Sequence, residues 1–264
     1  MQIPLFHVNA FSEAASGGNP AAVCFLDSWL DDDLHRKVAA ENSLSATAFL
    51  VRRNGEYDIR WFTPTREVKL CGHATLASGY LLLYEMRPEL ERVEFQTRFS
   101  GVVSVSRRGD LLEMDFPLRA PTAARSVPHE LTRALGLRES PSEVLEGSDS
   151  LLAVFEDEDV IRRIRPDFDL LEELHPYVVM VTAPGKDADF VSRYFAPSYG
   201  VREDPGTGSA HCALAPYWTQ RLGKTQLHAR QLSQRGGELW CELAGDRVLL
   251  RGKASLTLKG QLTL

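Results

Sequence analysis

Two stretches of the sequence decide the fold, RWFTPTREVKLCGHATLASGYLLLY at residues 60–84 and RYFAPSYGVREDPGTGSAHCALAPYWTQRL at residues 193–222. Each begins with an Arg-aromatic-Phe-x-Pro segment after a predicted strand, and each continues into a glycine turn that opens an apolar helix. A helix that is apolar on all sides is a core element. The repeat therefore predicts two similar lobes related by pseudo-symmetry.

The segments around this repeat predict an α+β protein rich in strands. Residues 3–11 and 21–26 have the composition of strands, and the acidic residues 31–33 are typical of a helix start. The pair Asn54-Gly55 predicts a hairpin turn, and residues 232–264 read as a meander of strands. Residues 117–128 look like the passage between lobes. We therefore expect an N-terminal lobe over 1–117 and a C-terminal lobe over 118–264, with the last strand free to cross back to the first lobe.

Composition narrows the class of partner. The chain has 264 residues and a formal net charge of -6, with acidic and basic residues interspersed, so it offers no basic stripe for nucleic acid and no polybasic membrane patch. It has no secretory signal and no apolar run near the roughly 18 residues that span a membrane. We expect a cytoplasmic protein whose default partner is a small neutral or anionic metabolite. The oligomeric state stays open, a homodimer included.

Metal and cofactor sites are not expected. The four cysteines, Cys24, Cys71, Cys212 and Cys241, form no CxxC pair, and the seven histidines are scattered. No dinucleotide-binding fingerprint is present either. Cys71 is the cysteine that lies where chemistry is plausible, at the first glycine turn.

The two glycine turns are the candidate ligand site. A helix start has unpaired N–H groups and a partial positive charge, so it can hold a carboxylate, although one such turn taken alone is ordinary structure. In a pseudo-symmetric protein the two helix starts would face one ligand and place His73 and Ser209 beside it. The helix field would lower the pKa of His73. Asp204 could accept a substrate hydrogen bond or move a proton, or could serve only as a local turn or cap residue.

The sequence resembles the PhzF-like (phenazine-biosynthesis isomerase-like) family from end to end. The motifs that carry the resemblance are Val8-Asn9-Ala10-Phe11, Gly18-Asn19-Pro20-Ala21-Ala22-Val23, Glu41-Asn42-Ser43-Leu44-Ser45, Arg60-Trp61-Phe62-Thr63-Pro64, Leu70-Cys71-Gly72-His73-Ala74-Thr75, Glu203-Asp204-Pro205-Gly206-Thr207-Gly208-Ser209-Ala210-His211 and Gln231-Leu232-Ser233-Gln234-Arg235-Gly236-Gly237.

The resemblance implies a diaminopimelate epimerase-like fold, in which each lobe wraps a β-sheet or barrel around a central helix. It also implies a cofactor-independent isomerase that moves a proton on a small carboxylate bound between the lobes. The implied catalytic positions are Ala46, His73, Asp204, Ser209 and Cys71. The implied substrate-binding positions are Asn19, Gly72, Ala74, Gly206, Thr207 and Gly208.

One departure from the family pattern bears on activity. The proton-shuttling glutamate of the family belongs in a Ser-Glu-Thr triplet, which here is Ser45-Ala46-Thr47. Loss of a general acid–base group typically lowers the rate about 10²–10⁴-fold. The chain is then an inactivated copy, an engineered variant or a branch with different chemistry. A second departure, Asn9 in place of the usual aspartate, should affect local hydrogen bonding.

Three functions remain open at this stage. The first is a PhzF-like isomerase of a small cyclic or amino-acid-like carboxylate. The second is an amino-acid epimerase that uses Cys71, which the absence of a matching thiol at the second turn disfavours. The third is a catalytically silent protein that binds a small carboxylate.

Overall fold

The computed structural model describes residues 1–147 and 149–264. These residues divide into two compact units, unit 1 with residues 1–115 and 250–264 and unit 2 with residues 116–249. The fold is mixed α/β, with many strands and few helices. Among the described residues, the longest and most apolar helices fall short of what a membrane crossing requires.

The elements that begin in unit 1 are mostly strands. They are β1 (Gln2–Ala10), β2 (Asn19–Leu26), α1 (Asp32–Asn42), β3 (Ala46–Arg53), β4 (Glu56–Phe62), β5 (Glu67–Val68), α2 (Gly72–Tyr80), β6 (Arg92–Thr97), β7 (Val102–Arg108), β8 (Leu111–Pro117) and β18 (Ala254–Thr263).

Local signals in the sequence explain where two of these elements start and turn. The Asp31 carboxylate accepts a hydrogen bond of 2.8 Å from the Leu34 N–H, so it caps α1. Asn54 and Gly55 have φ angles of 51° and 91°, the left-handed pair that a two-residue hairpin requires between β3 and β4. Both features confirm the sequence-based predictions.

Helix α2 forms the centre of unit 1. All residues from Gly72 to Gly79 are buried, and the helix packs against β1, β2, β3, β7 and β18. A side chain at Gly79 would place its Cβ 2.5 Å from the Cβ of Val105 on β7, so only glycine fits there without movement. Residues 81–86 continue α2 as a π-helical turn. The strands and the buried helix match the predicted arrangement for this unit.

The remaining helices and strands begin in unit 2. They are β9 (Thr122–Ala123), α3 (Leu131–Ala134), β10 (Glu143–Glu146), β11 (Ser150–Val154), α4 (Glu158–Arg163), α5 (Phe168–Glu173), β12 (Val178–Pro184), β13 (Phe190–Ala196), β14 (Val201–Glu203), α6 (Gly208–Leu222), β15 (Gln226–Gln231), β16 (Gly237–Ala244) and β17 (Arg247–Gly252). The last of them, β17, ends in residues that belong to unit 1.

The two units have the same order of strand pairings. In unit 1, β2 pairs with β3 in parallel, β3 with β4 antiparallel, β4 with β6 in parallel and β6 with β7 antiparallel. In unit 2, β11, β12, β13, β15 and β16 repeat that sequence of parallel and antiparallel pairings. The internal repeat predicted from the sequence is therefore confirmed in the topology of each unit.

A buried ion pair occurs at the same place in both repeats. Arg60 on β4 donates from Nε to Glu67 on β5 at 2.7 Å, and Arg193 on β13 donates from Nε to Glu203 on β14, also at 2.7 Å. Each guanidinium lies 5.0 Å from the ring centroid of the phenylalanine two residues later. The repeated Arg-aromatic-Phe segment thus ties each central strand to the short strand that leads into the glycine turn.

Parts of unit 2 differ from the sequence-based prediction. The strand expected from residue 232 begins at Gly237, and β15, which precedes it, was not predicted. Helices α4 and α5 were also missed, and they cover a core that includes Ile161, Leu171 and Phe195. These helices have only 6 residues each, too short to show a clear helical period.

Candidate functional site

The first glycine turn places Cys71 immediately before α2. Cys71 is the N-cap residue, with φ and ψ of -139° and 102°, and its side chain makes no capping hydrogen bond. The Thr75 hydroxyl and the Thr75 N–H both donate to the Cys71 carbonyl, at 2.6 and 3.0 Å. The backbone of the turn is thereby fixed, and Gly72, His73 and Ala74 form the buried first turn of the helix.

His73 contacts the predicted site residue Cys71 directly and a second one, Asn19, through Ser45. Its Nε2 lies 3.1 Å from the Ser45 hydroxyl, and its Nδ1 lies 3.5 Å from the Cys71 sulfur. The Ser45 hydroxyl also lies 2.7 Å from the Oδ1 of the buried Asn19. Unit 1 therefore brings Asn19, Cys71 and His73 together around Ser45.

Burial keeps His73 neutral. The pKa of His73 falls to about 4 because the imidazole is removed from water, which penalises the charged form. The lowered pKa agrees with the expectation from the sequence, but the cause is burial rather than the field of the helix. At neutral pH the ring therefore has one N–H donor and one free lone pair.

Ala46 is the first residue of β3, next to Ser45 in the chain. It pairs with Ala21 of β2 in parallel register, and only 1% of its surface is exposed. Thr47 accepts a hydrogen bond of 3.2 Å from the Asn42 amide. The position that the family resemblance assigns to a glutamate therefore presents a buried methyl group.

The second glycine turn is held by a glutamine. Thr207 is the N-cap of α6, and its hydroxyl donates to the Asp204 carboxylate. Gln231 on β15 accepts from the Thr207 N–H at 2.8 Å and donates to the Asp204 carbonyl at 2.6 Å. Ser233 donates to the Pro205 carbonyl at 2.8 Å. The Asp204 carboxylate thus has a local role in the turn, one of the two alternatives that the sequence left open.

The two turns correspond residue by residue. Cys71 and Thr207 are both N-cap residues in extended conformation, and neither caps its helix through the side chain. His211, four residues after Thr207, places its Nδ1 2.8 Å from the Thr207 carbonyl. In the first turn the hydroxyl of Thr75, four residues after Cys71, contacts the Cys71 carbonyl in the same way. Burial lowers the pKa of His211 to about 4. The second helix start therefore has a threonine where the first has a thiol.

Ser209 lies in the first turn of α6 and lines a cavity of about 380 Å³ within unit 2. Arg119, Asp149 and Tyr194 contribute polar groups to the same cavity. Burial, followed by the charges of Asp204 and Asp149, raises the pKa of the Tyr194 hydroxyl. Gly206 and Gly208 are buried backbone positions on either side of Thr207.

Several of these residues were not predicted from the sequence. Ser45 and Gln231 hold the two turns in place, and both lie inside motifs that carry the family resemblance, which is the signal that could have found them. Tyr194 is the aromatic residue of the second repeated segment, whereas Arg119 gave no signal of its own. The predicted site residues fall into one set in each unit, and their convergence on a single ligand remains a prediction. Among the residues that the structure describes, no three His, Cys, Asp or Glu side chains are arranged to hold a metal ion.

Comparison with known proteins agrees with this architecture. A family model described as phenazine biosynthesis-like protein matches residues 8–260. An uncharacterized isomerase of Pseudomonas aeruginosa is 50% identical over 264 residues and covers 100% of both chains. The crystal structure of a phenazine biosynthesis protein of the PhzF family from Enterococcus faecalis has 42% identity and a TM-score of 0.94, with 100% of both chains covered.

A more distant structure shares the fold alone. A predicted epimerase from Pseudomonas aeruginosa is 20% identical, with a TM-score of 0.76 over 99% of both chains. The α+β, epimerase-like fold predicted from the sequence is thus confirmed. The chain belongs to the phenazine biosynthesis-like PhzC-PhzF family.

Proposed function

We propose that the protein is a cofactor-independent isomerase that moves a proton on a small cyclic or amino-acid-like carboxylate. The observation that carries this proposal is the neutral His73, which the Ser45 and Cys71 side chains contact at the start of α2. A buried neutral imidazole can accept or donate a hydrogen bond at neutral pH, as proton-transfer chemistry requires. The name of the P. aeruginosa relative, an isomerase, supports the same reaction class.

The carboxylate would bind at the glycine turns. Helix starts stabilise an anion by about 0.3–1 kcal/mol when exposed and by more when partly buried. The proposed substrate-binding positions are Asn19, Gly72 and Ala74 in unit 1 and Gly206, Thr207 and Gly208 in unit 2. The proposed catalytic positions are His73 in unit 1 and Asp204 and Ser209 in unit 2. A cytoplasmic location and a homodimer remain part of the proposal.

A silent carboxylate-binding protein is the second candidate function, and Ala46 is the observation that favours it. The methyl group has no proton to exchange, whereas the helix starts that would hold an anion are present. Loss of the family glutamate also removes a negative charge that would oppose a bound carboxylate. Binding would then persist without turnover.

A two-thiol epimerase fits the structure less well. Thr207 occupies the position that corresponds to Cys71 in the second repeat. The nearest thiol, Cys212, is inside α6, and burial raises its pKa to about 12. Such a thiol is a poor base at neutral pH, so this reading lacks a second catalytic group.

Titration of the parent protein and two variants would test the proposal. Ala46→Glu restores the carboxylate, and Ala46→Gln adds the same bulk without a charge. We expect calorimetry with cyclohexadiene carboxylates bearing a ring hydroxyl or amino group to show binding by the parent and by Ala46→Gln. Deuterium incorporation from D₂O should be about 10²–10⁴-fold faster in Ala46→Glu than in Ala46→Gln. If none of the three proteins binds these carboxylates, the proposed site is wrong.

A further inference from the structure

The hydrogen bonds around Ser45 determine which nitrogen of His73 carries the proton. The Ser45 hydroxyl has one proton, and its neighbours Asn19 Oδ1 at 2.7 Å and the Pro20 carbonyl at 3.1 Å can only accept it. The Ser45 oxygen must therefore accept from His73, whose Nε2 lies 3.1 Å away. Nε2 is then the N–H of the neutral ring, and Nδ1 has the lone pair.

The thiol of Cys71 lies within hydrogen-bond distance of this nitrogen. The Cys71 sulfur lies 3.5 Å from Nδ1 and 3.9 Å from Nε2, so Nδ1 is the closer acceptor for the S–H proton. Cys71 is half-buried, whereas Cys24, Cys212 and Cys241 are fully buried. Cys71 is thus the thiol that both meets a base and can be reached by a small molecule.

We infer that Cys71, paired with His73, takes over the proton transfer for which the family uses a glutamate. This inference rests on the proposed function and names the group that acts at the same site. Cys71 is the catalytic residue in this scheme, because its sulfur meets the substrate. His73 is the positioning residue, because it receives the thiol proton and does not itself contact the reacting carbon.

The step balances without an oxidant or a cofactor. As the substrate C–H bond breaks, its proton passes to the Cys71 sulfur while the original S–H proton passes to Nδ1 of His73. The electron pair stays on the substrate, delocalised into the conjugated carboxylate. In the return step the sulfur gives its proton to a different carbon and regains one from Nδ1, which restores the thiol and the neutral imidazole.

The rate of this reaction depends on how readily the His73 imidazole takes up and returns a proton. An imidazolium with a pKa of about 4 returns its proton readily, but it forms with difficulty. A glutamate is about equally basic, with an ordinary pKa of about 4.3, but it accepts the substrate proton in a single transfer, whereas the pair must move two protons. We expect slower exchange by the parent than by the Ala46→Glu variant for that reason. The Cys71–His73 pair would thus support turnover in the parent, at a lower rate than a glutamate at position 46 would give.

The first test needs no substrate. Iodoacetamide at neutral pH, with the alkylated sites mapped by mass spectrometry, measures the reactivity of each thiol. His73→Gln is the matched variant, because the glutamine amide reaches the region of Nε2 and can keep the Ser45 contact while it removes the base beside Cys71. We expect Cys71 to react before the three buried thiols, and about threefold or more slower in the parent than in His73→Gln, because the hydrogen bond to the neutral imidazole holds the thiol in its protonated form. Equal Cys71 rates in the two proteins would overturn the pairing.

The second test measures deuterium incorporation into the hydroxylated cyclohexadiene carboxylate by NMR. Cys71→Ala should slow exchange by the parent about 100-fold or more, but by less than about tenfold in the Ala46→Glu background, where the carboxylate shares the work. Exchange that survives Cys71→Ala in the parent would overturn the inference. If Ala46→Glu exchanges deuterium and the parent does not, the role of Cys71 is refuted. The proposed isomerase site would still stand in that case. Exchange by neither protein would refute the proposed function and this assignment with it.

Discussion

Replacement of His73 by glutamine should remove a pH-dependent part of the stability of unit 1. Burial moves the pKa of His73 from 6.5 to about 4, and each pKa unit corresponds to about 1.4 kcal/mol between protonation states. The neutral ring therefore contributes about 3 kcal/mol that acid can remove. Because the folded pKa is the lower one, this stability is complete above pH 6.5, declines as the pH falls, and is lost below about pH 4.

Urea unfolding at pH 7.5 and pH 5.0 measures this contribution. Between these two conditions the unfolded state takes up a proton that the folded state refuses. The parent should thus lose about 2 kcal/mol more unfolding free energy than His73→Gln. Burial lowers the pKa values of His211, His35 and His7 as well, but these residues are present in parent and variant and cancel in the comparison.

His129→Gln is the matched control, since the side chain of His129 is 92% exposed. This variant should show the pH dependence of the parent. An equal loss of unfolding free energy in the parent and in His73→Gln would mean that His73 is charged or solvated in the folded protein. The assignment of a neutral imidazole beside Cys71 would then fail as well.

Three further predictions concern packing, ion pairing and cofactors. Gly79→Ala should lower the unfolding free energy by about 1–3 kcal/mol because the new Cβ meets the Cβ of Val105. Val105→Gly removes that Cβ and should recover part of the loss in the double variant, so additive effects would contradict the clash. Glu203→Gln should lower the unfolding free energy by about 3–5 kcal/mol because it leaves the buried Arg193 without its carboxylate. Glu67→Gln should lower it by less, because Asp32 still pairs with Arg60 at 2.7 Å. Equal losses of unfolding free energy in urea would refute this difference. Elemental analysis and an absorbance spectrum of the purified protein should show no stoichiometric metal or flavin, and either one would show that the expected cofactor independence is wrong.

The sequence predicted features that depend on neighbouring residues. The Asn54-Gly55 turn and the Asp31 cap follow from backbone preferences within a few positions. The helices after the two glycine turns follow from continuous apolar runs, and the repeat follows from comparison of the halves. Each of these signals lies in a short run of consecutive residues, and the repeat is the same run found twice in the chain.

The missing features depend on contacts between residues far apart in the chain. Ser45 meets His73 across 28 positions, and Gln231 meets Thr207 across 24. No local pattern encodes such pairs, because the strands bring them together only once the unit is formed. The same reason explains the pKa of His73, whose burial depends on the strands packed around α2.

The pairing of β1 with both β2 and β18 has a consequence for synthesis of the chain. A ribosome delivers residues in order, so the whole of unit 2 emerges before β18, which pairs with β1 from Gln2 to Ala10. Until then one edge of β1 lacks its partner strand, and an open strand edge is a template for association with another chain. The nascent protein is therefore most exposed to aggregation late in translation. The 10 residues of β18 end this exposure when they pair with the open edge of β1.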